Sequence, residues 1–188
     1  MRKLILVKHS LPEIRPDRLA AEWVLTEEGR KRAAAIARRI ALHEPDVIGA
    51  SNEPKATETA QIIARELGKS VEIFEGIHEQ KRKSLELLPG RKFESAVAKL
   101  FARPEERVFG DETATQALDR FREAVDRILE THPDENVALV SHGRVITLYV
   151  SDCTGIEPFP FWRRLGLPSF VVMSLPERKV LEVVESVL

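Results

Sequence analysis

Short apolar runs of strand length alternate with amphipathic helical stretches along this chain. That alternation restricts the fold more than any other feature. Leu4-Ile5-Leu6-Val7 and Val137-Ala138-Leu139-Val140 are unbroken apolar tetrads, as strands buried on both faces require. Asp46 to Ser51 and Val71 to Phe74 read as two further strands. Between the first two of these strands, Thr26 is placed as a helix N-cap, and Glu27 and Glu28 complement the helix dipole. Ala33, Ile36, Ala37 and Ile40 then mark the inner face of a helix running to about Leu42. A second helix is predicted from Pro54 to Leu67, with Ala60, Ile63, Ala64 and Leu67 on one face and Gly68 as its stop. A long helix from Thr113 to Thr131 buries Ala117, Phe121, Val125 and Ile128. Val137 to Ser141 leads into a helix over Gly143 to Cys153, and Ser169–Leu175 with Lys179–Val187 predicts a terminal hairpin around Pro176-Glu177-Arg178.

Strands alternating with helices imply an α/β fold: a three-layer α/β/α sandwich on a mainly parallel central sheet. The stretch from about 76 to 110 interrupts the rhythm. It is polar, carries Lys81-Arg82-Lys83, and has only a weak helical pattern near Phe93 to Phe101. It is expected to be an insertion above the sheet within one domain spanning residues 1–188.

At 188 residues and 43% hydrophobic content, a chain can bury roughly 70% of its unfolded surface and needs no covalent staples. The 29 basic and 30 acidic residues nearly cancel, which gives no global attraction to nucleic acid or acidic membranes. The single cysteine, Cys153, excludes an internal disulfide framework and a multi-cysteine metal site. No apolar run approaches the roughly 20 residues of a membrane helix. Met1-Arg2-Lys3 and the following apolar tetrad are too short for a signal peptide, and Lys8 and His9 come next. The chain is therefore expected to be cytoplasmic, with neither nucleic acid nor membrane as partner; no oligomeric state is implied.

In parallel α/β sheets, ligands bind beyond the carboxyl ends of the strands. There the first strand ends in Lys8-His9-Ser10 and the second in Ser51, with Lys55 one helical turn later. The third leads into Ile77-His78-Glu79, and the strand at Val137 ends in Ser141-His142-Gly143 at a helix start. Lysines and helix N-terminal amides attract phosphate. A neutral histidine nitrogen can attack phosphorus, a second histidine can stabilise the equatorial oxygens, and a glutamic acid can protonate the leaving oxygen. His43 and His132, near helix ends beside proline-containing loops, read as structural. The loop Leu11–Arg18 and the stretch Lys81–Arg107 are candidate specificity elements. Arg15, Arg18, Arg82 and Arg144 are candidate anion contacts, and Trp23, Phe161 and Trp162 are pocket or packing aromatics. No Gly-x-Ser-x-Gly element and no Gly-x-x-x-x-Gly-Lys-Ser/Thr loop occurs, which disfavours a serine hydrolase and a P-loop nucleotide hydrolase.

Five ordered elements resemble the histidine phosphatase superfamily, the phosphoglycerate-mutase-like proteins. Leu6-Val7-Lys8-His9-Ser10 is similar to Leu-Val-Arg-His-Gly, and Leu25-Thr26-Glu27-Glu28-Gly29 to Leu-Thr-x-x-Gly. Ser51 to Ala60, SNEPKATETA, resembles Ser-Pro-Leu-x-Arg-Ala-x-x-Thr-Ala. Ile77-His78-Glu79 resembles Leu-Arg-Glu, and Val140-Ser141-His142-Gly143 resembles Val-Ser-His-Gly. The resemblance implies His9 as nucleophile, His142 as the second active-site histidine and Glu79 as proton donor. It implies Lys8 and Lys55 at two phosphate-binding arginine positions, with Ser10 and Gly143 beside the phosphate. It implies no metal and no other cofactor. The chain departs from the pattern at both arginines, at the glycine replaced by Ser10, and at His78. The expected activity is hydrolysis of a small phosphate ester through a phosphohistidine. The alternatives are a phosphate-ligand-binding or regulatory protein weakened by the lysines, and a phosphomutase.

Overall fold

The computed structural model describes residues 1–187. Its strands are β1 (Arg2–Lys8), β2 (Val47–Ala50), β3 (Val71–Ile73), β4 (Val137–Ser141), β5 (Ser169–Leu175) and β6 (Val180–Val184). The helices are α1 (Glu27–Ile40), α2 (Pro54–Leu67), α3 (Gly90–Ala102), α4 (Ala114–Thr131), α5 (Gly143–Thr154) and α6 (Pro158–Arg164). The strands form one sheet in the order β3-β2-β4-β1-β5-β6. The first four are mutually parallel, and β5 and β6 add an antiparallel edge. The expected mainly parallel α/β sheet is therefore present. Among the described residues no helix is long and apolar enough to cross a membrane.

The period of two along β1 divides the core. Leu4 and Leu6 pack with Phe121, Val125 and Tyr149 of α4 and α5 on one face. Ile5 and Val7 pack with Ile36, Ile40 and Ile63 of α1 and α2 on the other. Both sets are buried, which is why the strand reads as a continuous apolar run. The helix starts follow the capping chemistry in the sequence. Thr26 accepts the Gly29 amide, and Thr113 and Gln116 form a reciprocal capping box. Gly68 ends α2 in the left-handed region, at φ 67°. The stretch after β3 holds an extended segment and α3, whose Val97, Leu100 and Phe101 join the α4–α5 side of the core. The helix α6 has no counterpart in the sequence reading.

Strand register places the two key histidines side by side. Lys8 pairs with Ser141 across the parallel β1–β4 ladder, and the His9 amide donates to the Ser141 carbonyl at 2.9 Å. The residues next in line on the two strands are thus His9 and His142. The chain beyond His9 docks on the N-terminus of α1. Ser10 Oγ donates to the Gly29 carbonyl at 2.6 Å, and the Thr26 amide donates to the Leu11 carbonyl at 3.0 Å. A Cβ at Gly29 would sit 2.2 Å from that Leu11 oxygen, so only glycine allows the approach. Gly29→Ala is expected to cost about 1–3 kcal/mol of stability and to shift the His9 loop. A denaturant midpoint equal to that of the wild type would contradict this packing account.

Candidate active site

A cavity of about 820 Å³ opens at the carboxyl ends of the parallel strands, with His9, Lys55, Glu79, His142 and Arg144 among its lining residues. Of the residues singled out in the sequence, Lys8, Ser10 and Gly143 are not among those lining it.

His9 and His142 lie with ring centroids 5.2 Å apart and planes tilted by 59°. His9 Nδ1 is 2.8 Å from the Ser10 carbonyl oxygen. A carbonyl only accepts, so in the neutral ring Nδ1 carries the proton and Nε2 keeps a free lone pair. Burial, followed by the neighbouring His142 and the Lys55 charge, holds the His9 pKa well below the ordinary imidazole value. The ring is therefore neutral at physiological pH. His142 is also driven well below that value, first by burial and then by Lys55. Its Nε2 lies 2.9 Å from Ser51 Oγ, while its buried Nδ1 has no hydrogen-bond partner among the described residues.

Glu79 is held in several directions. Its carboxylate accepts the Arg144 amide at 3.2 Å and the Val145 amide at 3.3 Å, capping the N-terminus of α5. The Arg144 guanidinium is 3.7 Å away. Burial pushes the Glu79 carboxyl upward, but Arg144, His142 and the backbone amides outweigh it and leave the pKa below the ordinary carboxylate range. Two of the helix amides that the sequence reading offered to phosphate, those of Arg144 and Val145, are thus occupied by Glu79. Arg120 on α4 fixes the turn that presents Glu79. It donates to the Gly76 carbonyl at 2.6 Å and the His78 carbonyl at 3.0 Å while pairing with Glu112 at 2.8 Å.

The two lysines have different surroundings. Lys8 runs past Gly143 and donates to the Leu165 carbonyl at 2.6 Å. A Cβ at position 143 would lie 3.0 Å from Lys8 Cε and 3.3 Å from Trp162 Nε1, so the glycine leaves room for the lysine stem. Burial lowers the Lys8 pKa to about 8, partly offset by Glu79. Lys55 lines the cavity, donates to the Ala20 carbonyl at 2.7 Å, and forms a short ion pair with Glu53. Ser10 faces away: its amide donates to Thr59 Oγ1 at 3.0 Å and its hydroxyl holds α1.

Glu53 is the main residue that the sequence reading missed. It is 8% exposed and lines the cavity. One carboxylate oxygen holds Lys55; the other accepts the Glu79 amide at 2.9 Å and lies 3.6 Å from His142 Nε2. It stands where the resembling motif has leucine, which was the available sign of an inward-facing side chain. Among the candidate anion contacts, Arg82 and Arg144 line the cavity and Arg15 and Arg18 do not; Arg15 instead pairs with Glu13 and Asp17. Trp23 lines it, whereas Phe161 and Trp162 do not; Phe161 lies in the core and Trp162 packs against it. His43 and His132 lie near carboxylates outside the site, at 3.2 Å from Glu182 and 2.7 Å from Glu135.

The model of the histidine phosphatase superfamily (branch 1) matches residues 4–182. No curated protein sequence matches the chain. Solved structures share its fold. A mycobacterial glucosyl-3-phosphoglycerate phosphatase, in complex with inorganic phosphate, aligns with a TM-score of 0.71 at 21% identity over 93% of this chain and 90% of its own. A phosphoserine phosphatase variant from Entamoeba histolytica, in complex with phosphoserine, aligns with a TM-score of 0.77 at 20% identity over 97% and 96%. YhfR from Bacillus stearothermophilus aligns with a TM-score of 0.76 at 20% identity over 98% and 96%.

Proposed function

Because the chain belongs to the histidine phosphatase superfamily, we propose that it hydrolyses a phosphate monoester through a phosphohistidine on His9. The observation that carries this reading is the tautomer of His9: Nδ1–H donates a hydrogen bond to the Ser10 carbonyl, which leaves the Nε2 lone pair free to act as a neutral nucleophile.

In this mechanism His9 Nε2 attacks phosphorus as the ester P–O bond breaks. Ser51 accepts the Glu53 amide at 3.2 Å, and its own hydroxyl donates a hydrogen bond to His142 Nε2. His142 then carries its ring proton on Nδ1, as a donor for an equatorial phosphoryl oxygen. Lys55 and Arg144 supply positive charge. Glu79 gives a proton to the leaving oxygen. Its carboxylate then takes a proton from water as that water attacks the phosphohistidine, and the N–P electron pair returns to Nε2. The names of the structural relatives, a glucosyl-3-phosphoglycerate phosphatase and a phosphoserine phosphatase, support a small phosphorylated molecule as the substrate.

Glu79 is ionised in the free site, so the proton it donates must arrive with the substrate. A phosphate ester bound as its monoanion delivers one, and its second pKa is near 6. For alkyl esters, kcat/KM is expected to fall as pH rises above about 6, because the monoanion fraction falls. Glu79→Gln is expected to lower kcat/KM of alkyl esters by about 10²–10⁴-fold, while kcat/KM of p-nitrophenyl phosphate, whose leaving group needs no proton, loses far less. Equal losses on both esters would remove Glu79 from the acid role.

A second reading, a phosphate-ligand-binding protein with weakened catalysis, is favoured by one observation. Glu53 already neutralises the Lys55 charge. Saturable phosphate binding with no turnover of any ester, in protein that retains His9, would establish that reading in place of the first.

A further inference from the structure

The chamber above the phosphoryl position has apolar walls. On one side stand Ile14, Leu19 and Trp23 from the loop after β1; on the other stand Leu87, Leu88 and Phe93, leading into α3. Ile14 is 61% exposed and Leu87 41%, so these walls leave apolar surface in water. The walls are also tied to the chemistry. The Lys55 ammonium donates to the Ala20 carbonyl, which fixes the first wall against the site. Trp23 Nε1 donates to the Arg15 carbonyl at 3.1 Å, so the indole spends its polar group within its own loop and shows the chamber carbon. The polar lining includes His9, Asn52, His78, Glu79, Gln80 and His142, and the exposed Lys81 and Lys83 border the chamber at its rim. A volume of about 820 Å³ far exceeds what a phosphoryl group fills.

We infer that the substrate is the phosphate monoester of a bulky apolar alcohol, with the phosphate on the histidine floor and the organic group between the Ile14 and Leu87 walls. A sugar or an amino-acid ester of similar size would leave its polar groups unpaired against these walls. The lysines at the rim draw the anionic head inward, and the apolar group remains within the chamber. The inference rests on the phosphatase reading for the position of the phosphate, and binding and turnover test the two separately.

The experiment uses the intact protein and a series of n-alkylphosphonates from ethyl to octyl, with binding measured by calorimetry, beside turnover of the matching alkyl phosphates and of glucose 6-phosphate. A buried methylene is worth up to about fourfold in affinity, so octylphosphonate is expected to bind about a hundredfold or more tighter than ethylphosphonate. The kcat/KM values are expected to rise in parallel and to exceed that of the sugar ester. Ile14→Asn and Leu87→Asn are expected to flatten this dependence on chain length. Affinity that rises with chain length without turnover of any ester upholds the apolar chamber and defeats the phosphatase reading. A flat or falling series, with the sugar ester turned over as well as the octyl ester, defeats the chamber and leaves the phosphatase reading standing.

Discussion

His9→Ala is expected to lose turnover of every phosphate ester while keeping the fold. Among the described residues the ring hydrogen-bonds to the neighbouring Ser10 carbonyl, and the loop is anchored independently by Ser10 on Gly29 and Thr59. Removing the ring therefore takes away the proposed nucleophile without releasing the segment that carries it. Loss of a covalent nucleophile leaves only the electrostatic contribution of the site, so the rate is expected to fall on the order of 10⁴-fold or more. Steady-state assays with p-nitrophenyl phosphate give the rate, and rapid quenching gives the acid-labile phosphoenzyme. The wild type should show the phosphoenzyme and the variant should show none, with closely matching thermal transitions. A phosphoenzyme that persists in the variant would move the nucleophile elsewhere.

The second large effect lies in the Glu53–Lys55 pair. Both side chains are nearly inaccessible to solvent, at 9% and 6% of their surface. Lys55→Ala leaves the Glu53 charge buried without its cation, and a loss of about 3–5 kcal/mol in stability is expected. Replacing both residues together, Glu53→Leu with Lys55→Met, should restore most of that loss, because no buried charge is then left unpaired. The functional counterpart is Glu53→Gln. It keeps an oxygen for the Glu79 amide but removes the charge that occupies Lys55. A charge-assisted hydrogen bond is worth about 1.5–3 kcal/mol, so inhibition by inorganic phosphate should tighten about tenfold or more. Chemical denaturation of the two lysine variants and phosphate inhibition of Glu53→Gln check both halves. Weaker phosphate inhibition in Glu53→Gln would mean that the carboxylate aims Lys55 at the substrate instead of holding it back.

The sheet was legible because its central strands are buried on both faces and leave unbroken apolar runs, as at Leu4–Val7 and Val137–Val140. Helix limits were legible where a cap residue marks them, as at Thr26, Thr113 and Gly68. The helix α6 left no such mark: seven residues with prolines at 158 and 160 are too few to show a 3.6-residue period. Within the site, the strand-end rule pointed to His9 and His142, since backbone register alone makes them neighbours. It could not say where each side chain finds its partner. Lys8 finds the Leu165 carbonyl and Ser10 finds Gly29, partners far away in sequence. Glu53 was hidden for a related reason. A glutamate ahead of a helix is ordinarily solvated, and only the return of the chain at Glu79 closes it in.

The position of β1 also bears on how the protein is made. Both hydrogen-bonding edges of β1 are covered by strands that come late in the chain, β4 on one side and β5 on the other. β1, the strand that leads into His9, therefore leaves the ribosome before the strands that cover it, and about 130 more residues must follow before its β4 neighbour is synthesised. Through that interval Leu4–Val7 is an apolar segment with two bare edges, the kind of surface that recruits other chains or a holding chaperone. A chain that stops before β4 lacks His142 as well as that cover. A product that ends before β4 is thus expected to aggregate, and the candidate site is complete only once β4 and His142 have joined β1.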